Sequence, residues 1–331
     1  MLPLIGMLCS YWLFLCASVP LSADEPPSSV RPAQAANGAL PTPTPTLAEV
    51  RYGEHERHVL DFWQAKSTTL TPLVLVVHGG GWQSGTKERV GRFANVRQLL
   101  DAGISVAAIN YRLISHANAA KIQPPVKAPL HDAARALQFI RSQAEPWQID
   151  RNRIGAAGGS AGACSSLWLA FHDDLAEPQG SDTVGRESTR LLCAAVIGAQ
   201  TSLDPLQMKQ WTPNSRYGAH AFGITGDRDK KISAFEQFLQ DREKILPWIE
   251  EYSPYALVTA DDPPVGLFYS AKPAVGKAQK DPTHTANFGV KLQQRCDEVG
   301  VACDLIYPGA PNTKYKSPTE YLIHQLQTNS P

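Results

Sequence analysis

The stretch IGAAGGSAGACSSLWLAF, Ile154 to Phe171, decides how this chain folds. Its centre, Gly158 to Gly162, reads G-x-S-x-G around Ser160. The short apolar run Ile154 to Ala157 predicts a strand. Cys164 to Phe171 (CSSLWLAF) predicts a buried helix. A sharp turn between the two lifts the Ser160 hydroxyl into a cleft, and small neighbours are required because strand and helix pass so close together.

A second glycine-rich segment stands about 80 residues earlier: His78-Gly79-Gly80-Gly81-Trp82. It follows LVLVV (Leu73 to Val77), a continuous apolar, β-branched run of the kind that forms a fully buried strand. Glycines after a strand let the backbone turn tightly and aim bare N–H groups into a cleft. The Gly80 and Gly81 amides, with that of Ala161, are therefore candidates to bind an oxyanion. Alone, a glycine triplet is a flexible turn and G-x-S-x-G a glycine-rich junction. Together, in this order and each behind a strand, they point to a nucleophilic serine.

These motifs carry a family resemblance. HGGGW, then NYRL at Asn110 to Leu113, then GGSAG resemble the α/β-hydrolase esterases, most nearly the hormone-sensitive-lipase-like and feruloyl-esterase-like carboxylesterases. The similarity runs from about residue 48 to 328. It implies an α/β-hydrolase fold and ester hydrolysis through an acyl-enzyme on Ser160. In that fold the partners follow in the order serine, acid, histidine. The resemblance implies Asp281 as the acid, at the family's spacing before Gly300, although the local sequence is DPTHT and an extra lysine-rich loop, Ala271 to Lys280, precedes it. The family's histidine position, in a P-G-A-x-H pattern, is occupied here by Asn312, which cannot take a proton at neutral pH. His284, three residues past Asp281 on the same loop, is the substitute chosen. His220 in an insertion near 202–253 and His324 in the closing helix are the alternatives, and His78 is expected to pack beneath the oxyanion loop. Asp204 is a second candidate acid. Asp132 is expected to be a first-turn charge favoured by a helix dipole.

Charge is balanced, 31 basic against 31 acidic residues, so nothing favours nucleic acid as a partner. Residues 1–23 are largely apolar and end in Leu-Ser-Ala, which predicts a secretory signal peptide and a secreted or periplasmic protein. An uncleaved anchor is the alternative, but Pro3 and Pro20 limit a helix to about 16 residues, short for a membrane span. Residues 24–47, ending in PTPTPT, read as a Pro-rich disordered linker, and 48–331 as the hydrolase domain. Cys164 and Cys193 read as packed apolar residues. Cys296 and Cys303 flank a turn where export would permit a disulfide. No C-x-x-C pair occurs, and the implied chemistry needs no metal or organic cofactor.

Strands and helices alternate along the rest of the chain. Strands are expected at 50–52, 58–63, 73–77, 104–110, 154–157, 192–197, 265–269 and 303–307. Helices are expected at 92–101, 128–144, 288–299 and 318–327. The pattern predicts a mostly parallel sheet covered on both faces, with function at the C-terminal strand ends. Near 202–253 the alternation breaks into a cap-like insertion, whose Trp211, Tyr217, Phe222 and Trp248 either line a pocket or pack the insertion itself. The expected substrate is a small-molecule or polysaccharide ester, with acetyl or feruloyl decorations the implied class. A hydrolase fold that has lost catalysis and binds a ligand is the competing reading, because of Asn312. A peptidase on the same machinery ranks third.

Overall fold

The computed structural model describes residues 42–311 and 313–328. The segment expected to be a signal peptide, most of the expected linker and Asn312 lie outside the described residues.

The run read as LVLVV is apolar at every position because both of its faces are covered. Leu73, Leu75 and Val77 enter one core, and Val74 and Val76 enter another. Side chains of a strand alternate between faces, so a strand buried on both sides loses the polar half of the pattern. This strand, β3 (Thr71–Val77), lies inside an eight-stranded sheet of order β1-β2-β4-β3-β5-β6-β7-β8. β1 (Leu47–Arg51) and β2 (Val59–Trp63) form an antiparallel hairpin, and β2 runs antiparallel to β4 (Ser105–Ile109). From β4 onward, through β3, β5 (Ile149–Gly159), β6 (Cys193–Ile197), β7 (Val265–Phe268) and β8 (Cys303–Ile306), every pairing is parallel.

Helices cover both faces, as expected. They are α1 (Val96–Asp101), α2 (Ile114–Ala119), α3 (Lys127–Ser142), α4 (Ala161–Phe171), α5 (Pro205–Trp211), α6 (Ala234–Asp241), α7 (Leu246–Tyr252), α8 (Pro254–Leu257), α9 (Asn287–Val299) and α10 (Pro318–Thr328). On one face α1 and α10 bury Val96, Leu99, Tyr321, Leu322 and Leu326. On the other, α3, α4 and α9 bury Leu130, Leu137, Leu167, Trp168, Phe288 and Leu292. All 11 residues of α4 are buried, so its polar side chains need internal partners. Ser165 and Ser166 donate to the carbonyls of Ala161 and Gly162, and Trp168 donates to the carbonyl of Glu251.

Three expectations change. The helix expected over 92–101 is two elements, a 3-10 turn at Lys87–Arg92 and α1, because Asn95 accepts from the Gln98 amide and caps a new start. Residues 42–47, read as the end of a linker, are held on the sheet. The Trp63 indole donates to the Pro43 carbonyl, the Thr46 amide donates to the Phe62 carbonyl, and Leu47 opens β1. Asp132 is no first-turn charge, because α3 begins at Lys127 and Asp132 sits deeper in it, buried. Its carboxylate takes the Arg112 guanidinium on both oxygens and the Arg112 backbone amide at 2.8 Å, with the His58 ring 3.0 Å away. Burial alone would raise the Asp132 pKa, but these partners hold it below the usual carboxylate range.

Removing one member of a buried pair leaves the other charge uncompensated. Asp132→Ala is therefore expected to lower unfolding free energy by about 3 kcal/mol in urea titration. Asp182→Ala, which breaks a solvent-exposed pair with Arg135, should cost about 0.5 kcal/mol. Equal losses from the two substitutions would contradict the assignment.

Candidate active site

The site is built at the C-terminal ends of β3, β5 and β7. β5 ends at Gly159 and α4 begins at Ala161, leaving Ser160 alone to make the turn. Its backbone sits at φ 53° and ψ −121°, a conformation that costs free energy in a non-glycine residue and is typical of strained functional turns. The Ser160 amide is fixed by the Ile197 carbonyl at 2.9 Å. The glycine at 162 is compulsory on steric grounds. A Cβ there would lie 2.1 Å from the Val77 carbonyl oxygen, so α4 could not seat against β3.

The segment after β3 wraps over this turn. Gly80 has φ +120°, and a Cβ there would meet the Ser84 carbonyl at 2.1 Å. Around it the loop is anchored on every side. Trp82 is fully buried and donates to Ser165 on α4. The Tyr111 hydroxyl donates to the His78 carbonyl at 2.7 Å, and the Tyr111 ring stacks on the His78 imidazole at 4.1 Å. His78 therefore packs beneath the loop: Nδ1–H donates to the Gly79 carbonyl at 2.8 Å, which leaves Nε2 facing Arg57 as an acceptor. Burial keeps this ring neutral, lowering its pKa to about 4, with the Gly79 hydrogen bond opposing and Arg57 assisting.

Among the described residues the Gly80 and Gly81 amides donate to no protein acceptor. The Ala161 amide is the first of α4, where helix N–H groups lack internal partners and the helix dipole favours negative charge. Gly80 lines one cavity with Ser160, and Ala161 follows Ser160 directly, whereas Gly81 does not line that cavity and lies against Gln83, Tyr217 and His220.

The loop after β7 brings in Asp281 and His284. Asp281 Oδ1 accepts the backbone amides of Thr283 and His284, both at 3.1 Å, which curls the chain into a tight turn. The other oxygen, Oδ2, lies 2.8 Å from His284 Nδ1. His284 Nε2 lies 2.9 Å from Ser160 Oγ. These partners define the tautomer: Nδ1 carries the proton toward the carboxylate, and Nε2 accepts from the serine. Partial burial would raise the Asp281 pKa, but the hydrogen bonds from His284 and the turn amides outweigh it and hold the carboxylate below its usual range.

The loop itself is braced by polar side chains. Gln200 donates to the Thr283 carbonyl at 2.7 Å. Asn214 donates to the Gln279 carbonyl and accepts from its amide. Asn287, fully buried, joins Trp211 and Thr212 to Ala274. The sequence offered no pattern for these braces, since lone amide side chains are read as turn formers.

The other candidates are committed elsewhere. His220 Nε2 is spent on the Gly81 carbonyl at 3.0 Å, and burial lowers its pKa. His324, on α10, has its ring Nδ1 3.2 Å from the Tyr315 hydroxyl. Asp204 caps α5 and binds Arg242 through both oxygens. A cavity of about 370 Å³ opens over Ser160, lined also by Arg89, Arg92, Phe93, Ile197 and Ser270. None of Trp211, Tyr217, Phe222 and Trp248 lines it. Trp211 packs on Phe288 and Tyr255, and Tyr217 lies against Trp82, all beyond the insertion, while Phe222 packs on Phe238 within it, so these rings seat the insertion on the sheet domain. Carboxylates of Glu49, Asp61 and Glu88 converge away from this cavity, and the Lys87 ammonium is paired with all three, so a cation already occupies that cluster. Cys296 and Cys303 are free thiols in contact, and that contact together with burial pushes the Cys303 thiol up.

Sheet order, serine turn and glycine loop define an α/β-hydrolase. The profile of the BD-FAE family matches residues 60–281, and the chain belongs to that family. Among curated proteins, "Esterase LipC" of Mycobacterium tuberculosis is 32% identical over 143 residues, a match that takes in 40% of this chain and only 33% of that relative's length. Among solved structures, a truncated carbohydrate esterase from gut microbiota aligns with TM-score 0.62 and 20% identity, covering 87% of this chain and 98% of its own. An acetyl ester-xyloside bifunctional hydrolase from Caldicellulosiruptor lactoaceticus aligns with TM-score 0.56 and 22% identity, covering 75% of this chain and 76% of its own. At these identities the structural likeness concerns the fold.

An imidazole with an ordinary pKa of 6.5 in the unfolded chain and about 4 at His78 in the folded one takes up its proton first when unfolded. Stability should therefore fall by up to about 3 kcal/mol as pH drops from 6.5 to 4. Urea midpoints measured at pH 7 and 4.5 are expected to differ less in His78→Gln than in the parent. An unchanged difference would contradict the buried neutral ring.

Proposed function

We propose that this protein is a serine carboxylesterase of the hormone-sensitive-lipase-like and feruloyl-esterase-like branch, with its base moved onto the loop after β7. The observation that carries this reading is the continuous line from Asp281 through His284 to Ser160. Ser160 Oγ attacks the ester carbonyl carbon while its proton passes to His284 Nε2. The imidazolium that forms is steadied by Asp281 through Nδ1–H. The carbonyl oxygen becomes an oxyanion, and the amides of Gly80, Gly81 and Ala161 stabilise it. The tetrahedral intermediate collapses, His284 gives its proton to the departing alkoxide, and the acyl group stays on Ser160. Water, deprotonated by the same nitrogen, then releases the acid and restores the serine.

In this reading Asn312 holds the family's histidine position without a catalytic duty. Residues 1–23 direct export, the following Pro-rich segment spaces the catalytic domain, and the protein acts outside the cytoplasm. Among the described residues no helix is long and apolar enough to cross a membrane. Acetyl or feruloyl esters of polysaccharides are the proposed substrates. The names of the carbohydrate esterase and the acetyl ester-xyloside hydrolase support that class.

Hydrolysis of 4-nitrophenyl acetate and of acetylated xylo-oligosaccharides tests the reading. Ser160→Ala and His284→Gln should each lower kcat by about a thousandfold or more. Asp281→Asn should cost less, about ten- to a hundredfold, because its side chain is 61% exposed and its charge is screened by solvent. Full activity in His284→Gln would place the base elsewhere. No Ser160-dependent turnover of any ester would favour a ligand-binding hydrolase fold.

A further inference from the structure

The 3-10 turn after the oxyanion loop, KERVGR at Lys87–Arg92, places Arg89 and Arg92 in the lining of the Ser160 cavity. Neither guanidinium has a carboxylate partner among the described residues, and both are exposed. The nearest acids are taken. Glu88 is bound to Lys87, and although burial opposes it, that pairing holds the Glu88 carboxyl below its usual range. Asp281, the only carboxylate lining the cavity among the described residues, is held by His284. The cavity wall therefore carries two uncompensated cations beside a serine turn whose α4 dipole and free amides already favour negative charge. Phe93, next in sequence, supplies an apolar surface between them and Gly159.

We propose that Arg89 and Arg92 form an anion-recognition subsite, so that the preferred ester carries a carboxylate beside the scissile bond. The inference rests on the esterase reading above. Two chemistries meet it: a half-ester of a dicarboxylic acid, with the charge on the acyl side, and an acetylated uronate, with the charge on the alcohol side. Arginine suits either because its planar fork binds carboxylate oxygens in pairs.

Matched esters separate this claim from the reading beneath it. On the acyl side, 4-nitrophenyl hemisuccinate is compared with 4-nitrophenyl butyrate. On the alcohol side, 4-acetoxybenzoate is compared with its methyl ester. The quantity read is kcat/KM for the charged ester divided by that for its neutral match. Arg89→Gln and Arg92→Gln are expected to lower this ratio about tenfold or more in at least one pair. Arg89→Glu should lower it further, and 0.5 M NaCl should shrink the parent's ratio. A fall confined to one pair assigns the charge to that side of the ester. Ratios unchanged by all three substitutions, with Ser160-dependent turnover of the neutral esters intact, would overturn the subsite and leave the esterase reading standing. Loss of Ser160-dependent turnover on all four esters would remove both.

Discussion

One contact, 2.9 Å between Ser160 Oγ and His284 Nε2, makes demands on most of the molecule. The partners are 124 residues apart and arrive on different strands. Ser160 can be lifted toward the histidine only if β5 turns abruptly into α4, and that turn needs a strained backbone and glycine where α4 meets β3. The strain is carried by a fully buried helix whose side chains interlock with the glycine loop through Trp82 and Ser165. A serine turn so supported has little freedom to relax. Pre-organisation of this kind is what electrostatic stabilisation of an oxyanion requires.

The histidine side is held differently. Asp281 and His284 share a single turn, and the same carboxylate both shapes the backbone and orients the ring. A turn on an exposed loop would wander if left to itself. Gln200, Asn214 and Asn287 tie it to the end of β6, the insertion and the start of α9. The insertion between β6 and β7 therefore acts as a brace for the loop. Its aromatic residues pack within it and against α9, and the cavity faces Phe93 and the arginines of the 3-10 turn.

Much of this was legible because short-range rules governed it. A doubly covered strand must read LVLVV, and a serine turn against a helix must read GGSAG. The eight strands emerge within a few residues of the expected bounds for the same reason. Asp281 and His284 stood out through chain order and a shared loop, although the local DPTHT departs from the family pattern. Asp132 was misread because helix dipoles are a local argument, whereas its pairing with Arg112 and His58 is tertiary. The braces at Gln200, Asn214 and Asn287 had no signal at all, since each amide finds its partner through the fold. Arg89 and Arg92 carried a faint one: two cations three apart, just past the glycine loop.

The central claim is that His284 activates Ser160. A fluorophosphonate reagent tests it without a choice of substrate, because it labels only a serine whose proton is being removed. Intact protein and the His284→Gln variant would be treated in parallel, and labelled peptides followed by mass spectrometry. The account predicts stoichiometric labelling of Ser160 in the parent and labelling about a hundredfold slower in the variant. Equal rates in the two proteins, or labelling at another serine, would contradict it.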